Sequence, residues 1–80
     1  MPYKLSDPAS HGLAITPHDT NALGYTTRGI YVGVAGNVKV KTLGGDTPTF
    51  VGVPAGAVLP VLATQVFATG TTATNLIALY

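Results

Sequence analysis

Apolar and polar residues alternate with a period of two along much of this 80-residue chain, as they do in half-buried β-strands. The clearest example is residues 37–43, where two valines alternate with Lys39 and Lys41. Residues 28–34 have the same period, with Tyr31 on the face opposite an isoleucine and two valines. This period predicts strands rather than helices.

Six such segments, separated by turns rich in Gly, Pro and Asn, are predicted to be short strands. They span residues 12–16, 28–34, 37–43, 48–53, 57–69 and 75–80. The intervening residues 17–26 are rich in turn-forming residues and predict a loop. Closely spaced short strands predict an all-β fold, a small single-domain antiparallel barrel or sandwich of about six short strands over residues 12–80. Residues 1–11 are predicted to form an extended N-terminal arm, because Pro2 and Pro8 disfavour helix.

Three local expectations follow from the same pattern. Residues 35–37 should form a tight turn in which Gly36 and Asn37 tolerate positive φ. Within 48–53, Thr49, Val51 and Val53 should share one face. The segment 57–69 is apolar on both faces and contains a proline that cannot donate to a ladder, so this strand should lie at a sheet edge or be bulged.

Composition supports an all-β domain and excludes several classes of protein. Val, Ile and Thr, which pack well in sheets, make up 24 residues. With 46% hydrophobic residues and a net charge of +1, disorder is not expected. The chain has no Cys, so disulfides and Cys-ligated zinc are excluded. Four cations are too few for a dense phosphate-binding patch, so no nucleic acid is expected as a partner.

The charges are unevenly placed, because none follows Asp46. The last 34 residues are therefore expected to be packed or to face another subunit. A chain this short buries only roughly 60–65% of its unfolded surface and usually needs further support. Without disulfides, a homo-oligomer is the favoured source of that support. The uncharged stretch 50–68 is broken by prolines and glycines, so no membrane span is predicted, and no signal peptide is evident.

Candidate chemistry is sparse, and no enzyme activity and no cofactor are predicted. His11 and His18 lie near Asp7 and Asp19, a set that could ligate a metal, but turn hydrogen bonds explain these residues better. Ser10 beside His11 on a proline-broken arm cannot hold the fixed geometry of a catalytic triad. The two lysines of residues 37–43 could meet an acidic partner, although a solvated strand face is the favoured interpretation.

A series of short segments carries a resemblance to a known family over about residues 7–80. They are Asp7-Pro8, His11, Ile15-Thr16-Pro17 with Asp19-Thr20, Arg28 with Ile30-Tyr31-Val32-Gly33, Val53-Pro54-Ala55-Gly56, Leu59-Pro60, and Ala68-Thr69-Gly70-Thr71-Thr72-Ala73-Thr74. In their order and spacing, the chain resembles the small spike base proteins of gene transfer agents and related tailed phages of alphaproteobacteria.

The resemblance implies a structural virion protein on the capsid surface, assembled in the host cytoplasm. Such a protein would act as a spike base, decoration or cement protein. It would form a pentamer or trimer and dock to the major capsid protein, and in spike systems it would hold a head fibre or spike protein. The chain carries no fibre extension after its last apolar strand, so the resemblance implies the base itself or a stand-alone decoration protein.

Two sets of site residues are predicted. Subunit packing is assigned to large apolar and aromatic residues: Tyr31, Phe67, Leu76, Ile77 and Tyr80. Capsid docking is assigned to the arm: Met1, Pro2, Tyr3, Lys4, Leu5, Ser6, Asp7 and Pro8. Two alternatives stay open, a carbohydrate- or receptor-binding β-module and a structural component of the tail or baseplate.

Overall fold

A computed structural model of the chain describes residues 9–80 and places seven strands in them. They are β1 (Gly12–Ala14), β2 (Gly29–Val34), β3 (Gly36–Thr42), β4 (Thr49–Val53), β5 (Val58–Leu59), β6 (Ala63–Val66) and β7 (Thr74–Leu79). One sheet has the order β1-β7-β2-β5 and the other the order β4-β3-β6. All the pairings among these strands are antiparallel, so the predicted all-β antiparallel fold is confirmed, as a sandwich of two sheets.

The core lies between the two sheets and takes side chains from both. Ile30 and Val32 reach it from β2, and Val38 and Val40 reach it from β3. Lys39, between those two valines, lies on the outer side of its sheet, as the alternation predicted. Each buried valine, leucine or isoleucine side chain contributes on the order of 1.5–3 kcal/mol. The buried apolar set is Ile15, Ile30, Val32, Val38, Val40, Val53, Ala63, Val66, Ala73, Leu76 and Ala78.

The chain passes from one sheet to the other at Ala35, between β2 and β3. The tight hairpin turn predicted for residues 35–37 is therefore wrong, because β2 pairs with β5 and β7 whereas β3 pairs with β4 and β6. Neither Gly36 nor Asn37 has a positive φ. Gly36 has a different role, since a β-carbon there would lie 2.5 Å from the main-chain nitrogen of Ala73. Glycine lets this corner contact the segment that enters β7.

The single strand predicted over residues 57–69 is two strands in different sheets. β5 is an edge strand of the four-stranded sheet and β6 an edge strand of the three-stranded one, with Pro60 in the crossing between them. Thr27 fastens this crossing, because its buried hydroxyl donates to the carbonyl oxygen of Val61 (2.9 Å) and accepts from the N–H of Ala63 (3.0 Å).

A bulge in β4 changes the direction in which its residues point. Val51 is 77% exposed whereas Val53 is buried, so the expectation that Thr49, Val51 and Val53 share one face is wrong. Gly52 has a φ of 69°, and its N–H donates to Oδ1 of Asn37 at 3.0 Å. The additional residue turns Val51 outward and returns Val53 to the core.

The predicted loop over residues 17–26 runs alongside β6. The main-chain N–H groups of His18 and Leu23 donate to the carbonyl oxygens of Val66 and Thr64, which covers the outer edge of that strand. None of residues 9–80 is in a helix, so this part of the chain holds no helix that could cross a membrane.

Candidate assembly interface

The outer face of the four-stranded sheet carries apolar side chains on each of its strands. Ala14 on β1 is paired with Ile77 on β7. Ile77 is paired on its other side with Tyr31 on β2, which is in turn paired with Val58 on β5. Directly paired residues point to the same side of a sheet, so these four form one row across it. Together with Leu79, two residues along β7, we call this set the open face.

Two glycines keep the open face flat. Gly12 and Gly29 flank Leu79 on the neighbouring strands. A β-carbon on Gly12 would lie 3.5 Å from Cγ2 of Ile77, and one on Gly29 would lie 3.1 Å from Cγ1 of Val58. The apolar side chains thus lean over the glycines, which have no side chains to raise the surface between them.

The open face contains no charged residue on the strand positions that the structure describes. Val58 is 50% exposed and Tyr31 is 39% exposed. An antiparallel sheet with a solvated side normally carries polar residues there. The composition of the open face is instead typical of a sheet covered on both sides.

The five residues predicted to pack subunits together lie in different parts of the fold. Tyr31 and Ile77 are cross-strand neighbours on the open face. Leu76 points the other way and is 2% exposed in the core, so its side chain has no surface left for a neighbouring subunit. Phe67 is half-buried, with the Nζ of Lys39 5.2 Å from the centre of its ring.

Tyr80, the fifth of these residues, is held by contacts within the chain. Its ring stacks with those of His11 and Tyr25, at centroid distances of 5.0 and 4.1 Å. Its carbonyl oxygen accepts hydrogen bonds from the N–H groups of Ser10 and His11, and its own N–H donates to the carbonyl of His11. Burial, with a smaller contribution from neighbouring Tyr80, raises the pKa of Tyr25 above its ordinary value.

His18 and Asp19, considered as metal ligands from the sequence, make structural hydrogen bonds. Nδ1 of His18 accepts from the N–H groups of Thr20 (3.1 Å) and Asn21 (3.2 Å). The carboxylate of Asp19 accepts hydrogen bonds from the main-chain N–H and the hydroxyl of Thr69. These bonds hold the pKa of Asp19 below its ordinary value, and the bond from the N–H has the larger effect. Residues 9–80 contain no group of three His, Asp or Glu side chains arranged to hold a metal ion.

Three residues of the open face were not predicted from the sequence. Val58 lies in a segment that is apolar on both faces, so the sequence pattern does not indicate which face of the strand it occupies. Ala14 is a small residue in a short edge strand, and such a residue gives no sequence signal for an interface. Leu79 is two residues after Ile77 on β7, so the alternation of the strand predicts that both lie on the same face. The residues predicted to dock to a capsid, Met1, Pro2, Tyr3, Lys4, Leu5, Ser6, Asp7 and Pro8, lie outside the described residues, and their role stays a prediction.

A comparison with solved structures finds a similar chain in a particle described as "Capsid of native GTA particle computed with C5 symmetry". The two chains are 36% identical and superpose with a TM-score of 0.86. The match covers 98% of the present chain and 90% of the other. No family model matches the sequence, and no curated protein matches it.

Proposed function

Because the chain belongs to the same family as this chain of the native GTA (gene transfer agent) capsid, we propose that it is a structural protein of the capsid surface. Its location would be the virion, and it would act through contacts with other protein subunits rather than through catalysis. The observation that carries the proposal is the 36% identity over nearly the full length of both chains.

The open face supports this proposal from the chemistry of the chain itself. A row of Ala14, Ile77, Tyr31 and Val58 without a charge suits a protein that works by burying apolar surface against another protein. Tyr also brings a large contact area at a low cost in side-chain entropy, which is why it is enriched at interfaces.

The finer role that we propose is a spike base, decoration or cement protein. The chain would form a symmetric homo-oligomer, dock to the major capsid protein through residues 1–8 and, in a spike system, hold a head fibre. That homo-oligomer would be a pentamer or a trimer.

Particles assembled without this protein would test the proposed function. Purified protein is added to such particles, which are then sedimented and imaged by cryo-electron microscopy. We expect the protein to sediment with the particles and to appear as ordered density on the capsid surface. Protein that stays in the supernatant, or density on the tail or baseplate, would contradict a capsid role.

A carbohydrate-binding module is a second candidate function, favoured by one concavity. A hollow of about 260 Å³ is lined by Ala22, Gly24, Tyr25, Thr26 and Thr64. An aromatic ring beside hydroxyl groups can contact the apolar and polar sides of a sugar. Binding on a glycan array that is lost in Tyr25→Ala and kept in Tyr31→Ala would support this candidate.

A further inference from the structure

The ring of His18 organises residues 18–21 of the loop beside β6, a segment that we call the His18 turn. Its Nδ1 accepts hydrogen bonds from the main-chain N–H groups of Thr20 (3.1 Å) and Asn21 (3.2 Å), and the hydroxyl of Thr20 also lies 3.1 Å from it. A main-chain N–H can only donate, so Nδ1 carries a lone pair and the imidazole is neutral, with its proton on Nε2. The turn therefore depends on one protonation state of His18.

We propose that the His18 turn is a pH switch, closed around the neutral ring and opened when the ring gains a second proton. Protonation occupies the lone pair of Nδ1 and leaves the ring with two N–H donors and no acceptor. That new N–H would face the N–H groups of Thr20 and Asn21, so two attractive contacts become repulsive ones. Histidine is the side chain that ordinarily changes its charge between pH 8 and pH 5, and we expect the switch in that range.

The charges around the His18 turn give the protonated ring a different partner. The carboxylate of Asp19, the next residue, attracts a charged His18 and can accept a hydrogen bond from it. Strand β6 and residues 67–72, which lie against the loop, contain no titratable side chain. Lys39 and Lys41 are on β3, which β6 separates from the loop. We therefore expect the protonated ring to turn from the main-chain N–H groups to the Asp19 carboxylate.

The remaining attachments of the loop do not use the ring of His18. The main-chain N–H of His18 donates to the carbonyl oxygen of Val66 (2.9 Å), and that of Leu23 donates to the carbonyl oxygen of Thr64 (2.8 Å). Neither contact changes when the ring is protonated, so the opening is confined to the His18 turn and the sandwich stays folded. All four residues of the turn are exposed. The result is a surface segment whose shape follows pH.

NMR spectroscopy of the full-length protein between pH 8 and pH 5 tests the proposal. We expect the amide resonances of Thr20 and Asn21 to move with the same midpoint as the ring protons of His18. Exchange of these two amide protons with water, corrected for its intrinsic dependence on pH, should become about fivefold faster once the hydrogen bonds to Nδ1 are lost. The amides of Leu76 and Ala78 on β7 are the internal reference and should not respond.

Three variants separate the switch from an ordinary response to pH. His18→Asn offers a side-chain oxygen that accepts from the same N–H groups, as in an Asx turn, and does not titrate, so its turn should stay closed at pH 5. His18→Ala has no acceptor, so its turn should be open at both ends of the pH range. His11→Asn removes the other histidine and is the matched control, whose turn should respond as in the wild type.

Two results would overturn the proposal. One is a wild type in which the ring of His18 titrates while the amides of Thr20 and Asn21 keep their resonances and their exchange rates. The other is a His18→Asn variant whose turn responds to pH as the wild type does. Circular dichroism at pH 8 and pH 5 establishes that each protein stays folded. Neither result bears on whether the protein binds capsids, which the sedimentation of particles measures separately.

Discussion

Asp19 and Thr69, which are 50 residues apart in sequence, are joined by two hydrogen bonds. The carboxylate of Asp19 accepts from the main-chain N–H of Thr69 at 2.8 Å and from its hydroxyl at 2.7 Å. This contact ties the turn after β1 to the turn that precedes β7. It therefore links the loop between β1 and β2 to the segment that passes from β6 in one sheet to β7 in the other.

The contact should give stability a dependence on pH. Folding lowers the pKa of Asp19. The contact should therefore stabilise the protein fully above a pH of about 3.9, the pKa of an aspartate in the unfolded chain. This stabilisation should be lost as the pH falls through the lower pKa that Asp19 has in the folded protein. We expect Asp19→Asn to lower Tm at neutral pH and to differ less from the wild type in strong acid. Calorimetry across pH, with Asp46→Asn as control, measures this. A gap in Tm that is equal at neutral and strongly acidic pH would contradict it.

Gly36→Ala should be strongly destabilising. The added methyl group would lie within 3 Å of main-chain atoms of Thr72 and Ala73, which cannot move aside as a flexible side chain would. We expect a loss of roughly 2–3 kcal/mol in the free energy of unfolding, measured by urea denaturation. Gly12→Ala is the control, since its nearest contact would be an ordinary 3.5 Å and its effect should stay within about 0.5 kcal/mol. Equal effects of the two substitutions would show that close approach is not the cause.

Thr27→Val replaces a hydroxyl with a methyl group of similar size, and we expect it to destabilise the sandwich. The substitution removes the hydroxyl that serves both Val61 and Ala63, and it leaves a buried N–H and a buried carbonyl without that partner. The expected cost is about 1–3 kcal/mol. Thr27→Ser, which keeps the hydroxyl, should lose less. Urea denaturation curves compare the two, and a valine variant as stable as the serine variant would contradict this role.

Removal of residues 1–8 should separate docking from oligomerisation. If the arm contacts the capsid, the truncated protein should keep the mass of the wild-type oligomer and no longer sediment with particles. Light scattering and the sedimentation assay measure these properties on the same sample. Unchanged occupancy of the capsid would show that docking lies in residues 9–80.

Local structure could be predicted from the sequence more fully than the path of the chain. The alternation of Val38 and Val40 with lysines gave β3 its correct orientation, because side chains of a strand alternate between its faces. The alternation does not reveal which sheet a strand joins. A glycine at the corner after Ala35 has the same appearance in the sequence whether it makes a hairpin or a crossing. The strand pairings distinguish the two, because β2 and β3 join different sheets.

The candidate interface could be predicted in part, for a related reason. Aromatic and large aliphatic residues at the end of an uncharged segment drew attention to Tyr31, Leu76 and Ile77. Composition cannot separate the two faces of β7, where Leu76 enters the core and Ile77 faces outward. The bulge that exposes Val51 depends on the amide of Asn37, which is distant in sequence, so alternation within β4 could not reveal it.

The placement of β7 between β1 and β2 sets the order in which the molecule can be made. The two earlier strands do not pair with each other and must wait for the last one. While the ribosome is still adding residues 74–79, the four-stranded sheet has no centre, and the open face does not exist as a surface. The four-stranded sheet can therefore fold only after residues 74–79 have been made, and its folding is dominated by distant contacts and is correspondingly slow. Subunits are thus protected from associating through the open face until β7 is in place.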